Sequence, residues 1–418
     1  MRVKHCARHS QNIRSGHLGS ITSCGFAGPL LALVGAESGG IHFRGASSTG
    51  KTTALMVGGS VCGGGGHARF VQPWRATING QEAVAEAHND ATLLLDELVQ
   101  VDANEAANTA YLLANGQGKT RMNKAIGMRK KLAWRLLFVS AGELTLAEHA
   151  ASAGKRTKGG AEVRMLNIET DAGAGWGMFE NLHGASSADV FVAKLREAAQ
   201  HHYGAPSRAY LANLVRDRTA ANRMIRTARE SLAQITPADA AGEVRRAADR
   251  FALIGAAGEL ATSLGAYWMA GGRRHRLRQA MLREWLRGRG TVGNSDVEMG
   301  IRQVRAFLAT QGASRFQTMG RSSRGGRIDH EDEARIVRDR AGFRRRNRDT
   351  DETEYLIFKD TFRTKVCAGR DCQAVARELD RRGLLLREPP NLTMKPHLPE
   401  LGKTWVYGIR AAILEGGE

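Results

Sequence analysis

Between about residue 40 and residue 170 the chain alternates short apolar runs with longer stretches of mixed polarity. The runs are Ile41-His42-Phe43-Arg44, Ala91 to Leu95, Trp134 to Val139 and Val163 to Ile168. Runs this short, apolar on successive positions, read as strands buried on both faces of a parallel sheet. His67 to Val71 predicts one more strand. The intervening stretches read as helices. Thr52 to Val57 opens one, and Asn79 to His88 forms another with Asn79 as a cap. Ala103 to Ala114 is a third, stopped by Asn115-Gly116, and Glu143 to Ala151 is a fourth. Strand–helix alternation predicts an α/β core, a parallel sheet flanked by helices. Phe26 to Val34 reads as a helix packed on that core, and residues 1–25 as an irregular tail. The core is therefore expected at 26–185.

Beyond it the period changes. Residues 186–311 predict a helical subdomain, with helices at Val190–Tyr203, Arg208–Leu232, Ala240–Leu264, Arg273–Arg289 and Asn294–Thr310. A Ser/Gly/Arg-rich stretch predicts a linker at 312–330. In 331–418, short strands at Ala341–Arg346 and Tyr355–Phe358 are followed by helices at Lys359–Cys367 and Asp371–Gly383 and a closing strand, Trp405–Ile409. That order predicts a small winged-helix-like domain.

The chemistry sits where the first strand ends. Gly45-Ala46-Ser47-Ser48-Thr49-Gly50-Lys51-Thr52 fits the phosphate-binding P-loop pattern, with a strand before it and a helix after. Glycine allows backbone angles that a side chain forbids, so the loop can turn N–H groups onto an anion at a helix N-terminus. Gly45 to Thr53 are the candidate ATP-binding residues; Lys51 would reach the outer phosphates and Thr52 would bind Mg²⁺. A Gly/Ser-rich linker ending in Lys-Thr is the alternative, and the strand and helix flanks argue against it. About forty residues on, the Ala91 run ends in Asp96-Glu97. Acids at the carboxyl end of such a strand emerge where ligands bind. Asp96 is the second candidate for the metal and Glu97 the candidate for activating water. Ser140, at the end of the next strand, is a candidate γ-phosphate sensor. Arg156 and Arg164 are candidates for an arginine finger, although Arg164 also suits an edge-strand ion pair.

Before that strand, Gln117 to Lys131 holds six basic residues and no acid. Two extended arms around Ile126-Gly127 would make a hairpin. Hairpins inserted at this place in ring-forming ATPases often point into the pore, so Lys119, Arg121, Lys124, Arg129 and Lys130 are candidates for tracking a single-stranded phosphate backbone. A solvated basic loop is the other reading.

Composition agrees with a polyanionic partner. Lys+Arg is 61 against Asp+Glu 42, a formal net charge of +19. Five cysteines in 418 residues make no disulfide framework, so a reducing cytoplasm is expected. There is neither a membrane-length apolar run nor a signal-peptide pattern.

Gly45 to Thr53, Trp74-Arg75-Ala76-Thr77, Leu94 with Asp96-Glu97, Leu113 to Lys119, Trp134 to Glu143, Gly154-Lys155-Arg156 and Phe179 to Gly184 together resemble the bacterial domain of unknown function 927. That family carries a P-loop and often sits in predicted primase–helicase proteins of phages and integrative elements. The resemblance runs from about residue 25 to the C-terminus. It implies an ATPase of the helicase or translocase type, though the family label records no activity. Members usually have more sequence before the P-loop, so this chain is expected to be short at its N-terminus, and no priming domain is visible. The Arg273–Arg278 stretch is more basic than the family pattern.

The leading expectation is an ATP-driven DNA helicase or translocase of a mobile element or phage, working as a homo-oligomeric ring with Mg²⁺. The alternatives are a nucleotide-switched DNA-binding regulator or scaffold, a small-molecule kinase, and an inactive remnant. A water-activating Glu97 argues against the kinase.

Overall fold

The computed structural model describes residues 16–64, 70–120, 131–155, 157, 159–267, 274–319, 337, 339–347 and 350–415. The chain divides into two units, Met1–Val292 and Gly293–Glu418. The first is built on five parallel strands: β1 (Gly39–Arg44), β2 (Val71–Pro73), β3 (Ala91–Asp96), β4 (Leu136–Gly142) and β5 (Met165–Glu169). Their spatial order is β2-β3-β4-β1-β5. β4 thus separates the P-loop strand from the acid-bearing strand, with His42 and Leu95 on either side of Ser140.

The apolar runs lack alternation because both sheet faces are covered. Leu137, Val139 and Ala141 of β4 face one core together with Ile41, Phe43, Leu94, Leu166 and Ile168. Leu136 and Phe138 face the other, with Leu93, Leu95 and Met165. On the first face lie α1 (Gly16–Ala27) and α2 (Lys51–Cys62). The second is covered by α3 (Ile78–Ala87), α4 (Ala106–Asn115), α5 (Leu146–Ser152) and α6 (Gly159–Arg164). Gly40 permits one close approach, since a Cβ there would fall 2.0 Å from the Phe138 ring.

Residues 16–25, expected in an irregular tail, form the buried helix α1 instead. A glycine on each helix lets α1 lie against α2: a Cβ on Gly58 of α2 would come within 2.7 Å of Ile21, and one on Gly25 of α1 within 3.1 Å of Val61. Phe26 to Val34 is not one helix; the chain turns at Gly28-Pro29, where a Cβ on Gly28 would strike the Ala91 backbone at 2.2 Å.

Five helices complete the unit: α7 (Ala188–His201), α8 (Ala205–Arg216), α9 (Arg218–Ala233), α10 (Gly242–Ser263) and α11 (Arg274–Arg289). The single helix expected over Arg208–Leu232 is two. Asp217 leaves helical angles (φ −138°, ψ 84°) and its carboxylate caps α9 at Ala220 N.

In the second unit α12 (Ser295–Gln311) and α13 (Cys372–Arg381) pack with a five-stranded sheet. Its strands are β6 (Phe316–Thr318), β7 (Gly342–Arg346), β8 (Thr353–Phe358), β9 (Leu385–Leu386) and, after the short pair β10 (His397–Leu398) and β11 (Gly402–Lys403), β12 (Val406–Arg410). The order is β6-β7-β8-β12-β9. α12, expected in the helical subdomain ending at residue 311, belongs to this unit because Ile301, Val304 and Leu308 enter its core. Within the expected linker, 316–318 is strand β6, paired with β7.

Candidate nucleotide site at the carboxyl edge of the sheet

The loop after β1 departs from ordinary backbone twice, at Ser48 (φ 62°) and Gly50 (φ 92°). A right-handed residue followed by a left-handed one turns successive N–H groups onto one concavity, an anion nest. A Cβ on Gly45 would lie 1.7 Å from Thr170 Oγ1, and one on Gly50 would lie 2.6 Å from the Phe179 ring. The segment after β5 therefore lies against the loop; Met178 N donates to Thr49 O at 3.1 Å. Alanine at Gly45 has no space, and at Gly50 it has neither space nor an ordinary φ.

Lys51 opens α2. Its Nζ donates to the carbonyls of Gly45 (2.8 Å) and Ala46 (2.5 Å). Burial holds the ammonium below its usual range, while the charges of Glu143 and Asp96 pull it back up. Lys51 thus feels two carboxylates across the sheet edge. Asp96 ends β3 at 8 % exposure, and its Oδ1 accepts from Glu97 N at 3.0 Å. Glu97 is exposed and left-handed (φ 58°), and it accepts from Gln100. Such angles cost a non-glycine residue of order 1 kcal/mol and cluster at functional sites.

Thr52 is partly buried at the second position of α2. Mg²⁺ takes one or two protein oxygens and fills the rest of its shell with water and phosphate, so Thr52 and Asp96 suit it in number and kind. Thr53 belongs elsewhere, since its buried hydroxyl accepts from Arg196 Nε at 2.9 Å. Among the described residues no three His, Cys, Asp or Glu side chains gather as a metal cluster.

Ser140 does not end its strand; β4 runs on to Gly142. Its side chain is fully buried and already engaged. One proton arrangement satisfies every group: Trp74 Nε1 donates to Ser140 Oγ (2.8 Å), Ser140 donates to His42 Nδ1 (2.8 Å), and His42 Nε2 donates to Leu144 O (3.0 Å). The sensor expectation for Ser140 is corrected on this ground: the hydroxyl ties β1, β4 and Trp74 together beneath the site. The polar group that β4 delivers toward Lys51 is Glu143, exposed just past the strand. Sequence reading missed it because it looked like the start of a helix. That helix instead begins at Leu146, behind the Thr145–Glu148 capping box.

Burial lowers the His42 pKa to about 4 from its ordinary 6.5. The folded state therefore excludes a proton that the unfolded chain binds below pH 6.5, and stability is lost as pH falls from there toward 4. About 2 kcal/mol should go by pH 5. Urea unfolding at pH 7 and pH 5 checks this. His42→Asn should show a pH difference smaller by that amount, and an equal difference in both proteins would exclude His42 as the cause.

Arg164 is not brought to the P-loop. It ends α6 at the opposite edge of the sheet, over the Tyr111 ring at 4.3 Å, donating to Gly160 O. Arg156 lies outside the described residues, as do Arg121, Lys124, Arg129 and Lys130. Lys119 is exposed, and its backbone N donates to the buried Glu82. The two chains flanking the basic stretch pair antiparallel, with Gln117 bridged to Ala133 and Gly118 N donating to Leu132 O at 2.9 Å.

The family model described as "Domain of unknown function (DUF927)" matches residues 11–132, a span that holds the P-loop and Asp96-Glu97. No curated protein matches the sequence. Among solved structures the chain is similar to one titled "SCCmec type IV Cch - active helicase", at TM-score 0.71 and 16 % identity. The likeness covers 99 % of this chain and 71 % of that one, and it establishes the shared fold.

Proposed function

We propose that the protein is an Mg²⁺-dependent ATPase that moves on or unwinds DNA in the service of a mobile element or phage. One observation carries this reading: the P-loop with Lys51 follows β1 and Asp96 ends β3 two strands away, so both stand at the carboxyl edge of one parallel sheet, with Glu97 next in the chain. Bound ATP with Mg²⁺ supplies the phosphoryl group and the charge that neutralises it. Lys51 holds the outer phosphates, Thr52 and Asp96 hold the ion, and Glu97 takes a proton from water. The fold shared with a mobile-element helicase supports a nucleic-acid motor over a small-molecule kinase.

Arg164 lies at the edge of the sheet away from its own P-loop, over Tyr111, so it supplies no arginine finger to that site. In the C-terminal unit the succession α12, β8, the helical turn Phe362–Val366, α13, β9, β12 supports a winged helix.

The test is ATP hydrolysis by the full chain with and without single-stranded DNA, followed by strand displacement. Stimulation by DNA with displacement supports the motor. Hydrolysis indifferent to DNA would replace it with the nucleotide-switched scaffold.

A further inference from the structure

At the amino edge of the sheet, opposite the P-loop, lies a cleft of about 960 Å³. Four arginines line it: Arg135 before β4, Arg164 at the end of α6, and Arg246 and Arg250 one turn apart on α10. Glu37 and Asp90 are the only acids in the lining. Among the described residues none of the four has a carboxylate within ion-pairing distance, although arginines elsewhere in this unit do, such as Arg44, Arg278 and Arg289. Arg250 donates instead to the carbonyl of Val163 at 2.7 Å. Removal from water lowers its pKa to about 10; Glu37 opposes the shift, and the like charges of Arg164 and Arg246 add to it. Like charges gathered around a water-filled cleft repel one another, and an anion placed among them relieves that repulsion.

The cleft opens at the foot of the basic stretch. Gln117 lines it, Ala133 lines it, and their bridge closes the base of the segment holding Lys119 to Lys131.

We propose that this cleft binds backbone phosphates of single-stranded nucleic acid, on the sheet edge away from the hydrolysed nucleotide. The proposal rests on the nucleic-acid motor reading above. Arg135 and Arg246 are exposed and supply the ionic contacts. Arg164 and Arg250, tied to Tyr111 and Val163, frame the cleft behind them.

Binding of a fluorescent oligothymidylate to the full chain, measured over a salt series, tests it. Each neutralised phosphate on a single strand contributes about −0.7 to the slope of log K against log salt. Arg135→Gln with Arg246→Gln removes two contacts, so the slope should become shallower by about 1.4, or about 25-fold in affinity at 0.1 M salt. Arg135→Lys with Arg246→Lys should restore it, since a phosphate accepts a point charge. An unchanged slope in the glutamine variant overturns the proposal. So does intact DNA binding with a loss of hydrolysis that depends on protein concentration, which would assign the cleft to a neighbouring copy's triphosphate. A wild-type chain that binds no DNA at any salt would instead sink the motor reading itself.

Discussion

Glu97→Gln will bind ATP as tightly as the wild-type chain and hydrolyse it at least about a hundredfold more slowly. Removing a positioned general base costs 10²–10⁴ in rate, and the amide keeps the size of the carboxylate while losing its basicity. The surroundings make the effect specific. Glu97 is held left-handed directly after Asp96, whose carboxylate accepts its N–H. That fixes the backbone from which the Glu97 side chain leaves, directly after the metal candidate. Binding should survive because Lys51, the loop and Thr52 are untouched. Single-turnover hydrolysis alongside nucleotide affinity separates the two effects. Glu143 supplies the control, since its charge also reaches Lys51 from the end of β4. If Glu97→Gln changes the rate less than threefold while Glu143→Gln abolishes it, the base is Glu143.

Arg278→Ala will cost about 3–5 kcal/mol of folding stability, the usual effect of removing one partner of a buried ion pair. Arg278 is 1 % exposed and its guanidinium bonds Glu259 of α10, itself 7 % exposed. The Arg278 stem also fills space against Gly255, where a Cβ would come within 2.8 Å of it. The double change Arg278→Met with Glu259→Leu removes both charges and keeps the volume, so it should lie within about 1 kcal/mol of wild type. Urea unfolding of the three proteins decides it. A single variant that loses under 1 kcal/mol would show that water reaches the pair.

Arg278 also marks where sequence reading runs out. The Arg273–Arg278 stretch is more basic than the family pattern; the burial of Arg278 is explained by an acid on another helix, which no local pattern reveals. The strands were legible because a run buried on both faces needs no partner to be recognised: β1, β3, β4 and β5 lie where Ile41, Leu93, Phe138 and Leu166 placed them. α1 was not. Gly16 to Ala27 has no apolar stripe because eleven of its twelve residues are buried, and small residues carry its packing. The P-loop and Asp96-Glu97 were legible because their chemistry demands fixed residue types in order. Glu143, the Trp74–Ser140–His42 chain and the four-arginine cleft were not, since each is assembled from segments far apart in sequence.

β4 has a mechanical consequence. It is seven residues long, so at ~3.3 Å per residue it spans about 23 Å. Arg135 precedes its first residue and Glu143 follows its last. One inextensible length of backbone, buried on both faces and hydrogen-bonded to β1 and β3 on its two sides, thus joins the amino-edge cleft to the nucleotide edge. Sliding it along its own axis by half an ångström would change both ends at once and by equal amounts.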